Sequence, residues 1–512
     1  MARRVVQGRT DSVIIIGAGL GGLSTALRLA GAGRAVTILE REQHPGGRAG
    51  RLDLSGYRFD TGPTVLTMPE LIQDALSCVG ESIEDRLELI KVDPAYRARF
   101  ADGSVIDVHT DKAAMVAEIA GTCGPADADG YQRLVGYLDE LFRVEMPGFI
   151  DRNLDGIADV IGPGALRLLR MGSLRRLDPL VGRFLTDDRL RRIFSFQAMY
   201  AGLAPQEALG IYAVIAYMDC VRGVYFPRGG MHALPVALAA AATDHGVEIR
   251  YGTEVSRIEV QGGRATGVVT SSGEHLRADV VVVNTDLPMA YRTLLAPEHT
   301  PRRVKHLSYS PSCALLHVGS AARYPDLLHH TIDFGRAWGQ TFDEIIHRGQ
   351  VMSDPSLLIS NPTATDPGLA PDGKQTYYAL FPTPNTVSGR DIDWAVEGPR
   401  YRDHMIQTLE SRGLTGFGAA IEVEHLVTPA DWQRQGLAAG APFSASHKIS
   451  QTGPFRQPTL SRHIENLVFC GANTQPGVGV PMVMISGRLA AERITGDHAR
   501  PRPTHIAVGA AR

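Results

Sequence analysis

The sequence predicts an α/β protein with a discontinuous Rossmann-like dinucleotide-binding domain, a mixed-sheet domain beside it and a helical, arginine-rich subdomain. Three stretches carry that prediction. SVIIIGAGLGGLSTALRLAGAGRAVTILERE, residues 12–42, reads as strand, glycine turn, helix and second strand. Residues 227–286 return to buried-type strands after a long helical insertion. Residues 465–496 then close the pattern with a strand, a glycine-rich loop and a helix.

Taken in order, Val13 to Ile16 is apolar and β-branched, as in a strand buried on both faces. Gly17, Gly19 and Gly22 follow in GxGxxG order, and Leu23, Ala26, Leu27 and Ala30 recur at helical spacing. In such a unit the first glycine permits the tight turn, the second lets the backbone approach a pyrophosphate, and the third lets helix and strand pack closely. The helix N-terminus offers its N–H groups to the phosphates. The next strand, 35–39, ends on Glu40, 18 residues past Gly22 and placed to accept from ribose hydroxyls. Gly46, Gly47 and Arg48 can bring a guanidinium to the same phosphates, and GYRFDTGPTVLT can run an extended backbone beside a flat ring.

Residues 87–109 read as a meander of short strands with turns at Asp93-Pro94 and Asp102-Gly103. From 111 to 220 the pattern is helical, and between Ala165 and Phe194 eight arginines face three aspartates. Two readings stay open there: a solvated helix face, or a basic amphipathic surface that rests on anionic lipid headgroups. Further on, Val247, Ile249 and Tyr251 alternate, Gly262-Gly263 turns a hairpin, and 280–283 is a buried-type strand.

At 512 residues the chain is too long for one ordinary core. Its 44% hydrophobic and 21% charged residues are those of a globular protein, and a formal charge of -3 gives no reason to expect nucleic acid as a partner. The five cysteines are odd in number, scattered and never in a CxxC pair, which fits a reducing compartment and no metal site. No export signal is read at the N-terminus, because the apolar run there belongs to the glycine-turn unit. No apolar run reaches the roughly 18 residues of a membrane-spanning helix. The expected location is cytoplasmic, with peripheral attachment to a membrane.

GAGLGGLSTALRLAGAG, PGGRAG, FDTGPTVLT, VYFPRGGM, TEVSRIEV and CGANTQPGVGVPMVMISG occur in that order over nearly the whole chain. Together they resemble the bacterial-type phytoene desaturases, FAD-dependent carotenoid dehydrogenases. The first two motifs are shared with amine oxidases and protoporphyrinogen oxidase; FPRGGM and TQPGVGVP are more specific. The resemblance implies FAD held by a domain in three segments, 1–82, 226–290 and 456–498. It implies a substrate domain at 83–110 and 291–455 and a helical membrane-docking and substrate region at 111–225; the composition of the tail at 499–512 leads to the expectation of disorder there. The cofactor-binding residues it implies are Gly17, Gly19, Leu20, Gly22, Glu40, Arg41, Gly47, Arg48, Gly62, Pro63, Thr64, Val255, Gly471, Asn473, Gly479 and Val480. Asp151 and Arg152 fall where the family shows an arginine-containing segment, and they are the catalytic candidates. Family members often carry His where Gln475 stands, so that imidazole's role does not transfer.

The residues favour FAD over NAD on their own account: the second glycine loop, some 450 residues downstream, can enclose a resident cofactor, and no second GxGxxG stands in proper context. Electrons then leave toward oxygen or a quinone. The expected reaction takes a hydride from a CH2-CH2 unit beside a polyene, after which a weak base takes the adjacent proton; it needs alignment more than acid-base groups. A linear carotene without a polar handle must be held by area, at about 0.8 kcal/mol per buried CH2. Phe194, Phe196, Tyr200, Tyr212, Tyr217 and Tyr225 are candidates to line its tunnel. Asp219 and Arg222 are weaker polar candidates; His317, His329 and His330 read as structural, and Cys470 as a buried strand-end thiol. The alternatives are a related flavin enzyme (carotenoid ketolase, isomerase or amine oxidase) and a flavin-free escort protein of the Rab escort type. Against an amine oxidase, no acid stands at Asn473 and no aromatic amine cage is evident. Self-association as a homo-oligomer is left open.

Overall fold

In the computed structural model, which describes residues 4–497, the chain's distant ends share one parallel sheet. Its strands are β1 (Ser12–Ile16), β2 (Ala35–Leu39), β3 (Glu248–Arg250), β4 (Val280–Val283) and β5 (Leu467–Phe469). Their spatial order is β5-β4-β1-β2-β3, every neighbour parallel. Val280 to Val283 and most of β1 are buried, as strands covered on both faces must be. Four helices frame the site and the surface beside it: α1 (Leu20–Gly31), α2 (Pro125–Glu145), α3 (Pro163–Met171) and α4 (Val480–Thr495). Helices α1 and α4 lie against each other on one face of the parallel sheet. An antiparallel three-stranded layer, 255–277, packs on the other through Val255, Ile258 and Val268.

A seven-stranded mixed sheet forms the second layer, in the order Ile421–Val427, Ser312–Ser320, Gln375–Thr383, Leu357–Ser360, His330–Phe334, Tyr96–Phe100, Val105–Val108. The expected meander over 87–109 is corrected here. Only 96–108 forms a hairpin, and its first strand joins His330–Phe334 in parallel. Leu89–Val92 pairs instead with Val224–Pro227, in a separate ribbon. Pro94, which has no N–H to give a ladder, lies between the two paths.

One apolar cluster runs from Leu20, Leu23 and Val480 through Leu66 and Phe226 to Phe194, Phe196 and Tyr212. The parallel-sheet domain and the helical region therefore share a core. Among the described residues no helix is long and apolar enough to cross a membrane. The expected disordered tail, 499–512, lies outside the described residues.

Candidate functional site

The site starts where β1 ends. Gly17 has a left-handed φ of 100° and its N–H donates to Leu39 O (2.8 Å), joining the ends of β1 and β2. Gly19 is the N-cap of α1 and brings no side chain to the first turn, so that turn's N–H groups have no side-chain cap. A Cβ on Gly22 would collide with Gly17 O and stand 2.8 Å from Asn284 Nδ2. Gly46 N–H donates to Ala18 O (2.9 Å), and Gly47 lies over the Gly19 Cα. Glu40 is buried; its Oε2 accepts from Ala18 N–H (2.6 Å) and its Oε1 from Glu42 N–H (3.0 Å). Arg41 reaches outward to Gln435 O.

Arg48 donates to Asp286 Oδ2 (3.0 Å) and Ser444 Oγ (2.8 Å). Asn473 Nδ2 donates to the same Asp286 oxygen (2.8 Å), and Asn473 Oδ1 accepts from Ala445 N–H (2.9 Å). Burial pushes the Asp286 carboxyl up and Arg48 opposes it. This knot joins four remote parts of the sequence. Gly62 lies so close to Arg48 O that no Cβ fits, and Tyr378 and His330 hold the carbonyls of Gly62 and Thr64 (2.8 and 3.1 Å), so Gly62, Pro63 and Thr64 pass beside Arg48. Val255 is a buried core side chain close to Glu40, whose carbonyl accepts from Thr253 N–H (2.8 Å).

The closing loop completes the cradle. Gly471 N–H donates to Ser486 Oγ (3.0 Å) and stands 3.3 Å from where a Gly21 Cβ would be. Gly479, with φ 112°, is the N-cap of α4 and leaves Val480 opening a second uncapped helix. Cys470 gives its thiol to Asn284 Oδ1 (3.4 Å), and burial pushes it up to about 12, so it is no nucleophile.

Asp151 stands elsewhere. It is ion-paired with Arg488, eight residues past the start of α4 and so about 12 Å along that helix. Arg152 has a buried Nε without a partner among the described residues. Two residues on, Leu154 exchanges hydrogen bonds with the Gln475 amide (3.1 and 2.9 Å). The geometry gives Asp151 a partner rather than a free carboxylate.

Sequence reasoning missed Asn284 and Asp286. Asn284 donates to Gly17 O (3.2 Å), and its amide fills the space that Gly19, Gly21 and Gly22 leave open. The signal was present: an Asn-Thr-Asp triplet directly after the buried strand Val280–Val283, at the carboxyl edge where such sheets bind ligands.

Phe196 meets Tyr96, Tyr200 and Phe334 at 5.8–6.1 Å, and Phe194, Phe196, Tyr212 and Tyr225 are buried. The Tyr217 hydroxyl donates to Asp139 (2.7 Å). Asp219 is buried, accepts from Tyr96 OH (3.3 Å), and is pushed up to about 7 by burial. On the helical surface Ile157, Ile161, Leu166, Leu169 and Leu174 are exposed, Ile161 by 73%. Of the eight arginines there, Arg167, Arg189, Arg191 and Arg192 are spent on acidic partners. Arg176 bonds a backbone carbonyl of Glu207, and Arg170, Arg175 and Arg183 are left without an acidic partner among the described residues.

Fold and site define a flavoprotein of the amine-oxidase type. The family described as flavin containing amine oxidoreductase matches residues 20–495. A solved putrescine oxidase with bound putrescine superposes with a TM-score of 0.62 at 15% identity, covering 95% of this chain and 99% of that one. Two curated relatives are nearer in sequence. A phytoene dehydrogenase of Streptomyces griseus is 56% identical over 97% of this chain and 98% of its own. A ζ-carotene-forming phytoene desaturase of Myxococcus xanthus is 39% identical over 96% and 95%. The chain belongs to the bacterial phytoene desaturase family, and its cofactor is FAD. The residues fit that cofactor: α1 and α4 both open without a side-chain cap, the first turn of α1 packs on the middle of α4, and Gly22 and Gly62 admit no side chain.

Proposed function

We propose that this enzyme removes hydrogen pairs from a linear C40 carotene, taking phytoene through phytofluene and ζ-carotene toward lycopene, while resting on a membrane surface. Electrons go on to oxygen or a quinone. One observation carries the reading: relatives named for phytoene match 97% and 96% of the chain.

When bound, FAD supplies the hydride acceptor. The chain's own residues do the rest. The uncapped first turns of α1 and α4 would offer their N–H groups to the cofactor, and Glu40, anchored by Ala18 and Glu42 N–H, would be the acid nearest its ribose. Arg48, Asp286 and Asn473 fix the two sides of the cradle against each other. The apolar cluster that runs from Leu20 and Val480 to Phe196 would supply the walls against which a hydrocarbon is held by area. The exposed apolar side chains 157–174, with Arg170, Arg175 and Arg183 among or beside them, suit an interface with anionic headgroups.

The test is incubation of the purified yellow protein with phytoene in liposomes, read by absorption. New long-wavelength polyene bands are expected. A flavin-replete protein that leaves the phytoene spectrum unchanged with oxygen and with a quinone refutes the substrate assignment.

A further inference from the structure

Exposed apolar side chains are not confined to the helical subdomain. Ile449 is 61% exposed and Phe455 44%, in a segment about 290 residues after Ile157. The fold sets that segment against the helical surface. The Gln475 amide donates both to Leu154 O (2.9 Å) and to Gly453 O (3.2 Å), so Ile157, three residues past one carbonyl, and Phe455, two past the other, are neighbours in space.

Cations border these side chains. Lys448 donates to Ser308 Oγ, and Gln451 exchanges hydrogen bonds with the Ser308 backbone (2.8 and 2.9 Å), which draws the preceding turn, Arg302–Lys305, alongside. Arg462 donates to Asp155 O (2.9 Å), two residues before Ile157, and stands beside Arg303. Burial, and repulsion from Arg462, hold the half-buried Arg303 below the ordinary arginine range. Arg302, Lys305, Lys448 and Arg462 are exposed, and with Arg303 they form no ion pair among the described residues. Acid is scarce around them: residues 448–463 contain none, and residues 287–325 contain only Glu298. On the helical side Asp155 is spent on Arg493, and Asp159 on the N–H groups of Asp155 and Gly156.

Like charges gathered without counter-ions repel, and large apolar side chains held in water forgo the gain of burial. A bilayer surface answers both, with anionic headgroups at the cations and the acyl boundary at isoleucine and phenylalanine. We propose that the turn 302–305 and the segment 448–462 form a second, cationic edge of the lipid-facing surface, outside the helical subdomain, where Ile449 and Phe455 enter an anionic bilayer beside Ile157 and Ile161. The inference rests on the membrane-resting reading above and adds a contact to it.

The test is co-sedimentation of the holoprotein with vesicles of phosphatidylcholine alone or mixed with phosphatidylglycerol, with FAD content and thermal midpoint read alongside. Lys305→Glu with Lys448→Glu is expected to lower partitioning into the mixed vesicles at least tenfold, since one lysine at such a surface is worth about fivefold. Ile449→Ser with Phe455→Ser is expected to lower it about tenfold. The control is Arg58→Glu with Arg323→Glu. Arg323 lies past Ser320, at the far end of the strand Ser312–Ser320 and so about 25 Å from its Ser312 end, and Tyr57, next to Arg58, packs on Gly319 at that same far end. The control should bind within twofold of the parent. Either test variant binding within twofold of the parent overturns the proposal and leaves the membrane reading standing on the helical surface; the cationic edge would then suit an acidic protein instead. A control that loses as much as the lysine variant overturns it too, as does an equal loss by the lysine variant on phosphatidylcholine alone. Should the glutamate pair lose FAD, Lys305→Gln with Lys448→Gln decides, with a loss of about fivefold or more expected and an unchanged partition refuting the edge. A parent that sediments with neither vesicle refutes the membrane reading itself.

Discussion

Gly487, in the middle of α4, packs directly on the first turn of α1. A Cβ there would stand 2.5 Å from Gly21 O, 2.7 Å from Ser24 Cβ and 2.9 Å from Ser24 Oγ, against an ordinary contact of 3.4 Å or more. Gly487→Ala therefore forces α1 and α4 apart by about 1 Å, and neither backbone can yield by rotating a side chain. Overpacking costs about 1–3 kcal/mol. The bonds Ser24 Oγ to Met484 O (2.9 Å) and Thr25 Oγ1 to Gly487 O (3.2 Å) would stretch, with about 1 kcal/mol at stake in each. Alanine returns about 1 kcal/mol of helix propensity. The net loss is about 2–4 kcal/mol.

The larger consequence is for FAD. The uncapped N–H groups of α1 would bond the cofactor phosphates, so a 1 Å parting would take an N–H···O bond of ordinary length to the edge of its range. Loss of one such bond to a charged phosphate, about 1.5–3 kcal/mol, is a tenfold or greater fall in affinity. The assay is titration of deflavinated protein with FAD by flavin fluorescence, beside urea unfolding. Gly136→Ala is the control: Gly136 lies in α2 with nothing within 4 Å of its would-be Cβ, and it should gain up to about 1 kcal/mol with FAD affinity unchanged. FAD affinity in Gly487→Ala within twofold of the parent would refute the coupling of helix packing to cofactor binding.

Two further outcomes are expected. Replacing Ile161, Leu169 and Leu174 by Asp should lower co-sedimentation with anionic liposomes severalfold and leave FAD content intact, since all three are about half exposed or more; Arg191 and Arg192, already paired with Asp178 and Asp188, should matter less than Arg170 and Arg175. His317 and His330 are buried and held to about 4, whereas an unfolded histidine titrates near 6.5. Between these values the unfolded chain binds more protons, so stability falls as pH drops from 6.5 toward 4, by up to about 3 kcal/mol for each histidine. His317→Phe should flatten the difference in urea midpoint between pH 7.5 and 5, and an identical pH slope in variant and parent would count against burial as the cause.

The cofactor half of the site was legible because its constraints are local. A left-handed turn, a helix N-terminus and an acid ending the next strand are read within 30 residues: Gly17 takes a left-handed φ, Gly19 caps α1, and Glu40 follows β2 with its carboxylate on the N–H groups of Ala18 and Glu42. The arginine-rich stretch was legible only in part, because sequence counts charges but does not say which are spent: Asp178, Asp187 and Asp188 neutralise their own neighbours, leaving the exposed leucines the clearer feature. The meander failed for a related reason. Each short strand was read correctly as a strand, but its partner, Val224–Pro227 or His330–Phe334, lay more than 100 residues away.

Asn284 shows why the missing half obeys the same chemistry. A glycine turn that must admit a pyrophosphate leaves a hollow on its other side, and the polar carbonyl of Gly17 borders that hollow. An apolar filler would leave the carbonyl unpaired, and a larger polar one would push back the turn. A short amide satisfies both demands, donating to Gly17 O while its own oxygen takes the Cys470 thiol. The residue after a buried strand that borders β1 is thus under a constraint as strong as the glycines', but one written some 265 residues away and visible only once β4 is known to pair with β1.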